Sequence, residues 1–222
     1  MNCGRLYHEG VQISNESKSG AGLRTVFLDR DGVLNRKLPE GSYVRSWSEF
    51  ELLPGVVEAI DKLKAAGMRV LVVSNQRGIA LGFYTIDTVR QIHTEFQKLL
   101  LARGTSVDGF YFCPHNHAEC DCRKPMPGLF KDAKADFPDI AAETSVMIGD
   151  SLSDIEFGRR LGMRTILVQG DPSRQKPSAK MAGELADMRC SSLLEAVETL
   201  LAESTRTPVV ASARAAISNR PS

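Results

Sequence analysis

Short apolar runs alternate with amphipathic segments through the middle of the chain, and this alternation predicts its fold. Five runs of apolar and β-branched residues have the length of buried strands: residues 25–29, 69–74, 109–113, 145–149 and 165–168. Five amphipathic segments are predicted to be helices: residues 55–66, 85–103, 127–135, 152–161 and 192–202. The second of them keeps the three-and-four spacing of a stripe that faces the core. Such alternation is typical of right-handed crossovers, so we predict a three-layer, Rossmann-like parallel α/β sheet with helices on both faces.

The two ends of the chain lack this pattern. Residues 1–22 and 203–222 are polar and aperiodic, and we expect disordered tails around one domain over residues 23–202. The 222 residues include 28 basic and 27 acidic side chains, and this balance argues against nucleic acid or a membrane as the main partner. Because no apolar run approaches the roughly 20 residues of a membrane span and no signal peptide is evident, we expect a cytoplasmic protein, and we take it to be a monomer.

Polar residues suited to catalysis follow four of the predicted strands. They are Asp29 and Asp31 after the first strand, Ser74, Asn75 and Gln76 at the second, Lys124 after the third, and Asp150 and Asp154 after the fourth. The carboxyl ends of parallel strands meet at one edge of a sheet, so these side chains can converge on one crevice. Taken singly, each has an ordinary alternative, such as capping a turn or lying in solvent. Their joint occurrence in this order favours catalysis.

This set of residues is suited to phosphoryl transfer through an aspartyl-phosphate. Asp29 can attack phosphorus, while Asp31 can protonate the leaving oxygen and then deprotonate the attacking water. Several carboxylates around one phosphate require a hard cation, and we predict Mg²⁺ bound by Asp29, Asp150 and the backbone carbonyl of Asp31. Ser74 and Lys124 then stabilise the charge on the phosphate oxygens.

A second metal site is predicted between the third strand and Lys124. Three thiols and one imidazole fall within ten residues there: Cys113, His115, Cys120 and Cys122. This clustering is too tight for a disulfide framework, and the set matches a closed tetrahedral zinc site of structural type. His117 is an alternative to His115 as the imidazole ligand.

Four short motifs resemble those of the haloacid dehalogenase (HAD) superfamily of phosphatases. They are Asp-Arg-Asp-Gly-Val at 29–33, Ser-Asn-Gln at 74–76, Arg-Lys-Pro at 123–125 and Gly-Asp-Ser-Leu-Ser-Asp at 149–154, and the match extends over residues 25–170. The resemblance implies that Asp29 is the nucleophile and Asp31 the general acid and base. The cysteine-histidine loop is similar to that of the D-glycero-D-manno-heptose 1,7-bisphosphate 7-phosphatases and the related histidinol-phosphate phosphatases. Residues 74–80 and 107–112 look more like the heptose branch, whereas the short interval from His115 to Cys120 resembles the histidinol branch.

The intervals between motifs leave no room for a cap domain, so short loops at the crevice must select the substrate. We predict that Asn75, Gln76 and Arg123 contact it, with Arg123 suited to a second phosphate; Arg77 is as readily a surface charge. The predicted function is a capless, Mg²⁺-dependent phosphatase that acts on a small phosphorylated sugar. The substrate we favour is heptose 1,7-bisphosphate, at its 7-phosphate, in envelope lipopolysaccharide precursor synthesis. The alternatives are a histidinol-phosphate phosphatase and a non-catalytic protein that retains the fold.

Overall fold

The computed structural model describes residues 4–6, 23–170 and 178–206, which form one twisted sheet with helices on both sides. The strands are β1 (Gly4–Leu6), β2 (Thr25–Leu28), β3 (Arg69–Asn75), β4 (Gly109–Cys113), β5 (Ser145–Gly149), β6 (Arg164–Val168) and β7 (Met188–Cys190). The helices are α1 (Val56–Ala65), α2 (Ile86–Leu101), α3 (Gly128–Asp136), α4 (Leu152–Leu161), α5 (Ala179–Leu185) and α6 (Leu193–Arg206). None of the described helices has the length and apolar character that a membrane crossing requires.

Strands β2 to β7 run parallel, in the order β4-β3-β2-β5-β6-β7, and β1 adds an antiparallel edge strand beside β4. Successive side chains of β2 point to opposite faces, as in any strand. Val26 and Leu28 therefore join a core beneath α1, α2 and α6, whereas Phe27 joins a second core beneath α3 and α4. The predicted three-layer parallel α/β fold is confirmed.

The predicted elements are present, with boundaries that differ by a few residues. The largest difference is at α6, which continues to Arg206, whereas the sequence pattern predicted an end at residue 202. Tertiary and local contacts support the extra turn: Glu203 pairs with Arg164 of β6, and the Ser204 hydroxyl donates to the Leu200 carbonyl at 3.0 Å. The strand β7 and the helix α5 were not predicted. Residues 207–222 lie outside the described residues.

The prediction that residues 1–22 form a disordered tail is wrong for residues 4–6. These residues form β1 because the edge of β4 offers unpaired backbone groups, which a further strand can satisfy. Gly4 lies opposite Phe112, and a Cβ atom at Gly4 would approach the Phe112 ring to 2.0 Å. The glycine thus permits the close approach. The rest of the predicted tail lies outside the described residues.

The central position of β2 places the site. Because β2 lies between β3 and β5, the residues that follow these three strands are brought side by side. The chain between β2 and β3 forms only loops, a 3₁₀ turn at Trp47–Glu49 and α1, and the chain between β3 and β4 contains α2 alone as regular structure. No inserted domain covers the crevice within the described residues, in agreement with the predicted capless fold.

Candidate active site

Three carboxylates meet where β2 and β5 end. Oxygen atoms of Asp29, Asp150 and Asp154 all lie within 4.8 Å of one another. The backbone N–H of Asp29 donates to Ile148 in β5 at 2.9 Å, so the sheet itself holds the two strand ends together. Gly32, in the turn after Asp29, has a φ of +99°, and a Cβ atom there would approach the Asp150 carboxylate to 2.2 Å. Only glycine lets the turn pass so near that acid.

A buried ammonium group neutralises part of this cluster. Lys124 is only 3% exposed, and its Nζ lies 2.7 Å from Asp29 Oδ1 and 2.6 Å from Asp154 Oδ1. It also donates to the Val73 carbonyl of β3 at 2.6 Å. The structure therefore places Lys124 beside Asp29, as the order of the motifs implied.

A second lysine approaches the same acids from the open side. Lys37 Nζ lies 2.5 Å from Asp150 Oδ2, and the Lys37 side chain is 22% exposed. Lys37 belongs to an irregular loop, and no motif or periodicity in the sequence indicated a role for it. The three acids are thus held between one buried cation and one at the crevice surface.

The two lysines do not fully offset the cost of burying negative charge in this cluster, as the pKa values of two of its acids show. Burial raises the pKa of the Asp29 carboxyl from 3.8 to about 7, although the Lys124 ammonium opposes the shift. Burial likewise raises the pKa of Asp150 to about 6, against the effect of Lys37. A cation bound among these oxygens would favour the ionised acids. Since every donor is a carboxylate oxygen, the set fits a hard divalent ion such as Mg²⁺.

Asp31 lies apart from this cluster, in a cage of hydrogen-bond donors. The Arg30 guanidinium, which is 2% exposed, donates to both carboxylate oxygens at 3.0 and 2.9 Å. Asn35 donates to Oδ1 and Gln76 to Oδ2, each at 3.0 Å. Burial disfavours the charged form, but the Arg30 charge and these donors outweigh it, so the pKa of Asp31 is lowered. The predicted use of the Asp31 carbonyl as a metal ligand remains a prediction.

The residues at the end of β3 hold the other parts of the site in place. Asn75 clamps the Lys124 backbone: its Nδ2 donates to the Lys124 carbonyl at 3.1 Å, and its Oδ1 accepts from the Lys124 N–H at 2.9 Å. Ser74 is 1% exposed, and its hydroxyl oxygen accepts from Gln76 Nε2 at 2.8 Å. Asn75 therefore positions the lysine, a role that the sequence did not indicate.

The predicted thiol-imidazole set also comes together. Sulfur and nitrogen atoms of Cys113, His115, Cys120 and Cys122 lie within 4.8 Å of one another. The His115 Nδ1 atom faces the set, 3.3 Å from the Cys122 sulfur, while His117 is not a member of it. Hydrogen bonding by Cys122 is the main cause that lowers the pKa of Cys113 to about 5. Three sulfur atoms and one imidazole nitrogen form a ligand set that can hold a metal ion.

The crevice above these residues has a volume of about 330 Å³ and carries a second basic region. Arg77 and Arg123 both line it, and Arg77 Nε donates to Asn116 of the cysteine loop at 2.7 Å. The Arg123 Nη1 atom is buried and has no hydrogen-bond partner within the described chain. Burial lowers the pKa of Arg123, and the like charge of Arg77 lowers it further. Two basic side chains that line one crevice favour an anionic ligand there.

Comparisons with known proteins agree with this geometry. The HAD-hydrolase-like family model matches residues 121–196. A D-glycero-alpha-D-manno-heptose-1,7-bisphosphate 7-phosphatase of Mycobacterium tuberculosis is 44% identical over 137 residues, which cover 61% of this chain and 72% of the relative. A D-glycero-beta-D-manno-heptose-1,7-bisphosphate 7-phosphatase of Pseudomonas putida is 37% identical, over 66% of this chain and 83% of the relative. The chain belongs to the heptose-1,7-bisphosphate 7-phosphatase family of HAD-like hydrolases.

A solved structure supports the same assignment. The D,D-heptose 1,7-bisphosphate phosphatase from B. bronchiseptica, complexed with magnesium and phosphate, superposes with a TM-score of 0.69 at 31% identity, over 82% of this chain and 99% of that one. Our chain is therefore a phosphatase that hydrolyses a phosphate monoester, and the predicted superfamily and activity are confirmed.

Several residues around the phosphatase site were missed by sequence reasoning. Four of them contact the acids or the partners of the acids: Arg30, Asn35, Lys37 and Tyr84. Except for Arg30, they do not follow a strand end that the hydrophobic pattern marks. Arg30 lies between the two motif acids, and this place in the motif is the only signal that could have indicated it.

Proposed function

We propose that this phosphatase removes the 7-phosphate of D-glycero-D-manno-heptose 1,7-bisphosphate, in the synthesis of envelope polysaccharide precursors. One observation carries the proposal: a single crevice holds the Asp29 and Lys124 pair at its base and the Arg77 and Arg123 pair on its wall. A substrate with two phosphates can place one at each pair. We infer the identity of the sugar from the relatives, which are named as heptose-1,7-bisphosphate 7-phosphatases.

The reaction that the residues support has two displacements. Asp29 attacks phosphorus, the bond from phosphorus to the sugar oxygen breaks, and Asp31 gives its proton to that oxygen. Water then attacks the aspartyl-phosphate, Asp31 takes up the proton of the water, and inorganic phosphate leaves. Asp31 ends protonated, as it began. The three donors around Asp31 favour its carboxylate form in the free protein, which suits the second displacement. The proton that Asp31 gives in the first displacement is therefore taken up together with the substrate, whose phosphate can carry it.

Charge stabilisation comes from the groups around the nucleophile. The Lys124 ammonium and the Ser74 hydroxyl are placed to hold the oxygens of the transferred phosphoryl group. Asp29, Asp150 and the Asp31 carbonyl would hold Mg²⁺, which supplies charge neutralisation between the acids and the phosphate. Asp154 stays paired with Lys124 and so keeps the ammonium in place.

We also propose that the cysteine-histidine set binds zinc in a structural role. All four ligand positions come from protein side chains, and the loop that they close leads directly to Arg123 and Lys124. We further propose that the protein is a monomer that works in the reducing cytoplasm, where a cysteine outside the set, such as Cys190, stays unpaired.

A phosphate-release panel tests the substrate assignment. The panel compares both anomers of heptose 1,7-bisphosphate with heptose 7-phosphate, histidinol phosphate and common sugar monophosphates, at equal concentration with Mg²⁺. We expect the highest kcat/KM on one anomer of the bisphosphate, and a lower value on heptose 7-phosphate, which lacks the second anion. A preference for histidinol phosphate would overturn the heptose proposal.

A further inference from the structure

The Gln76 side chain is the centre of a buried hydrogen-bond relay. Its Nε2 donates to Asp31 Oδ2 at 3.0 Å and to Ser74 Oγ at 2.8 Å. Its Oε1 accepts from the Tyr84 hydroxyl at 2.8 Å. Gln76 is 1% exposed and Tyr84 is 8% exposed, so water has little access to either end of the amide.

The two ends of this amide are not interchangeable. The NH₂ end can donate to the Asp31 carboxylate, whereas a flipped amide would place Oε1 against that carboxylate, and two acceptors would face each other without a proton. Tyr84 prevents the flip because its hydroxyl donates to Oε1 in the observed orientation. Burial also raises the pKa of Tyr84, so the phenol keeps its proton throughout the working pH range.

The relay has a consequence for Ser74 as well. The Ser74 oxygen already accepts a hydrogen bond from Gln76, so the hydroxyl hydrogen is left to point elsewhere. A serine whose oxygen is occupied in this way is prepared to donate to an anion in the crevice.

The position of Tyr84 is set by close packing. Gly78 lies against the Tyr84 ring, and a Cβ atom at Gly78 would approach the ring to 2.2 Å. Tyr84 also packs with Val89 of α2 and Phe112 of β4 in a small buried cluster. The hydroxyl is thereby directed at Gln76 by contacts outside the crevice.

We propose that Tyr84 is a positioning residue of this phosphatase, which acts through Gln76 to orient the Asp31 carboxyl and the Ser74 hydroxyl. The inference rests on the proposed function in one respect: it takes Asp31 as the group that protonates the leaving oxygen. Tyr84 itself does not reach the reacting atoms in this role.

The test compares the activity of the Tyr84→Phe variant on substrates with different leaving groups. The substitution removes the hydroxyl and keeps the ring against Gly78. A sugar phosphate needs a proton on its leaving oxygen, whereas the nitrophenolate of para-nitrophenyl phosphate does not. We expect kcat/KM on the sugar phosphate, which reports the first displacement, to fall about tenfold, the effect of one weakened hydrogen bond to a charged group. The kcat/KM on para-nitrophenyl phosphate should fall by a clearly smaller factor.

Tyr111→Phe is the matched control. Tyr111 is buried, as Tyr84 is, but its hydroxyl donates to Asp136 of α3 at 3.1 Å, away from the crevice. The Tyr111→Phe variant should leave unchanged the ratio of kcat/KM on the sugar phosphate to kcat/KM on para-nitrophenyl phosphate. Any sugar phosphate that the wild type hydrolyses serves, so a wrong heptose assignment does not compromise the test. An equal loss of kcat/KM on both substrates would overturn the positioning role.

A double-mutant cycle with Gln76→Leu tests the route of the effect. If Tyr84 acts through the amide, the Tyr84→Phe change should cost no further activity once the amide is gone. Full additivity of the two losses would overturn the relay. Circular dichroism of each variant checks the fold, and if Gln76→Leu does not fold, the leaving-group comparison on Tyr84→Phe decides alone.

Discussion

The carboxylate that we assign as nucleophile destabilises the metal-free protein, so Asp29→Asn should abolish activity and yet stabilise the fold. The pKa of Asp29 is raised from 3.8 to about 7, chiefly by burial. Between about pH 4 and about pH 7 the folded protein keeps a proton on Asp29 that the unfolded chain has released. The unfolded state then binds fewer protons than the native state, so this residue lowers the free energy of unfolding as the pH rises from about 4 to about 7.

The size of the effect follows from the shift. A difference of about three pKa units at about 1.4 kcal/mol per unit gives an upper value of about 4 kcal/mol, reached above pH 7. Asparagine has nearly the shape of the protonated acid and cannot ionise, so Asp29→Asn should recover about 2 to 4 kcal/mol at pH 7.5. At pH 4 the benefit should almost vanish, because the wild-type carboxyl is then protonated in the native state.

The assay is urea unfolding, followed by circular dichroism, of wild type and Asp29→Asn at pH 4.5 and pH 7.5 in Mg²⁺-free buffer. Asp87→Asn is the control, since the Asp87 side chain is 85% exposed and lies on the surface of α2. Added Mg²⁺ should reduce the difference in free energy of unfolding between the two proteins at pH 7.5, because the ion binds the native wild type. Acid-quenched mass spectrometry should find no phosphorylated Asp29→Asn protein after incubation with substrate. A variant less stable than wild type at pH 7.5, or a difference equal at both pH values, would refute the reasoning.

Three further predictions concern the crevice and the loop. Arg123→Ala should lower kcat/KM on the bisphosphate about ten- to a hundredfold, from the loss of one charged hydrogen bond, and should affect aryl phosphates less; equal losses would show that Arg123 serves the phosphoryl transfer itself. Cys120→Ser should lower both the bound zinc, measured by plasma emission spectrometry, and the melting temperature, and unchanged zinc content would disprove its role as a ligand. Lys37→Met should tighten Mg²⁺ binding about three- to tenfold in calorimetry, because the ion need no longer displace the Lys37 ammonium from Asp150; weaker binding would contradict this competition.

Much of the fold and the chemistry of the site could be predicted from the sequence because both depend on local patterns. Burial on both faces makes the central strands read as apolar runs, so β2 and β5 were predicted to within one residue. A parallel sheet brings its strand ends to one edge, so the order of the motifs was enough to place Asp29, Lys124 and Asp150 together. The cysteine spacing likewise indicated a metal-binding group.

The tertiary structure alone decided the contacts between segments without such a pattern. Strand β1 exists because the edge of β4 accepts it, and three residues carry too little periodicity to reveal a partner more than a hundred residues away. Lys37 and Tyr84 lie in or next to irregular loops, where nothing in the order of residues indicates the direction of a side chain. Their places on Asp150 and Gln76 follow from how the loops pack over the sheet edge. Apolar periodicity encodes which face of an element is buried, but it does not encode which polar groups meet when two buried faces are joined.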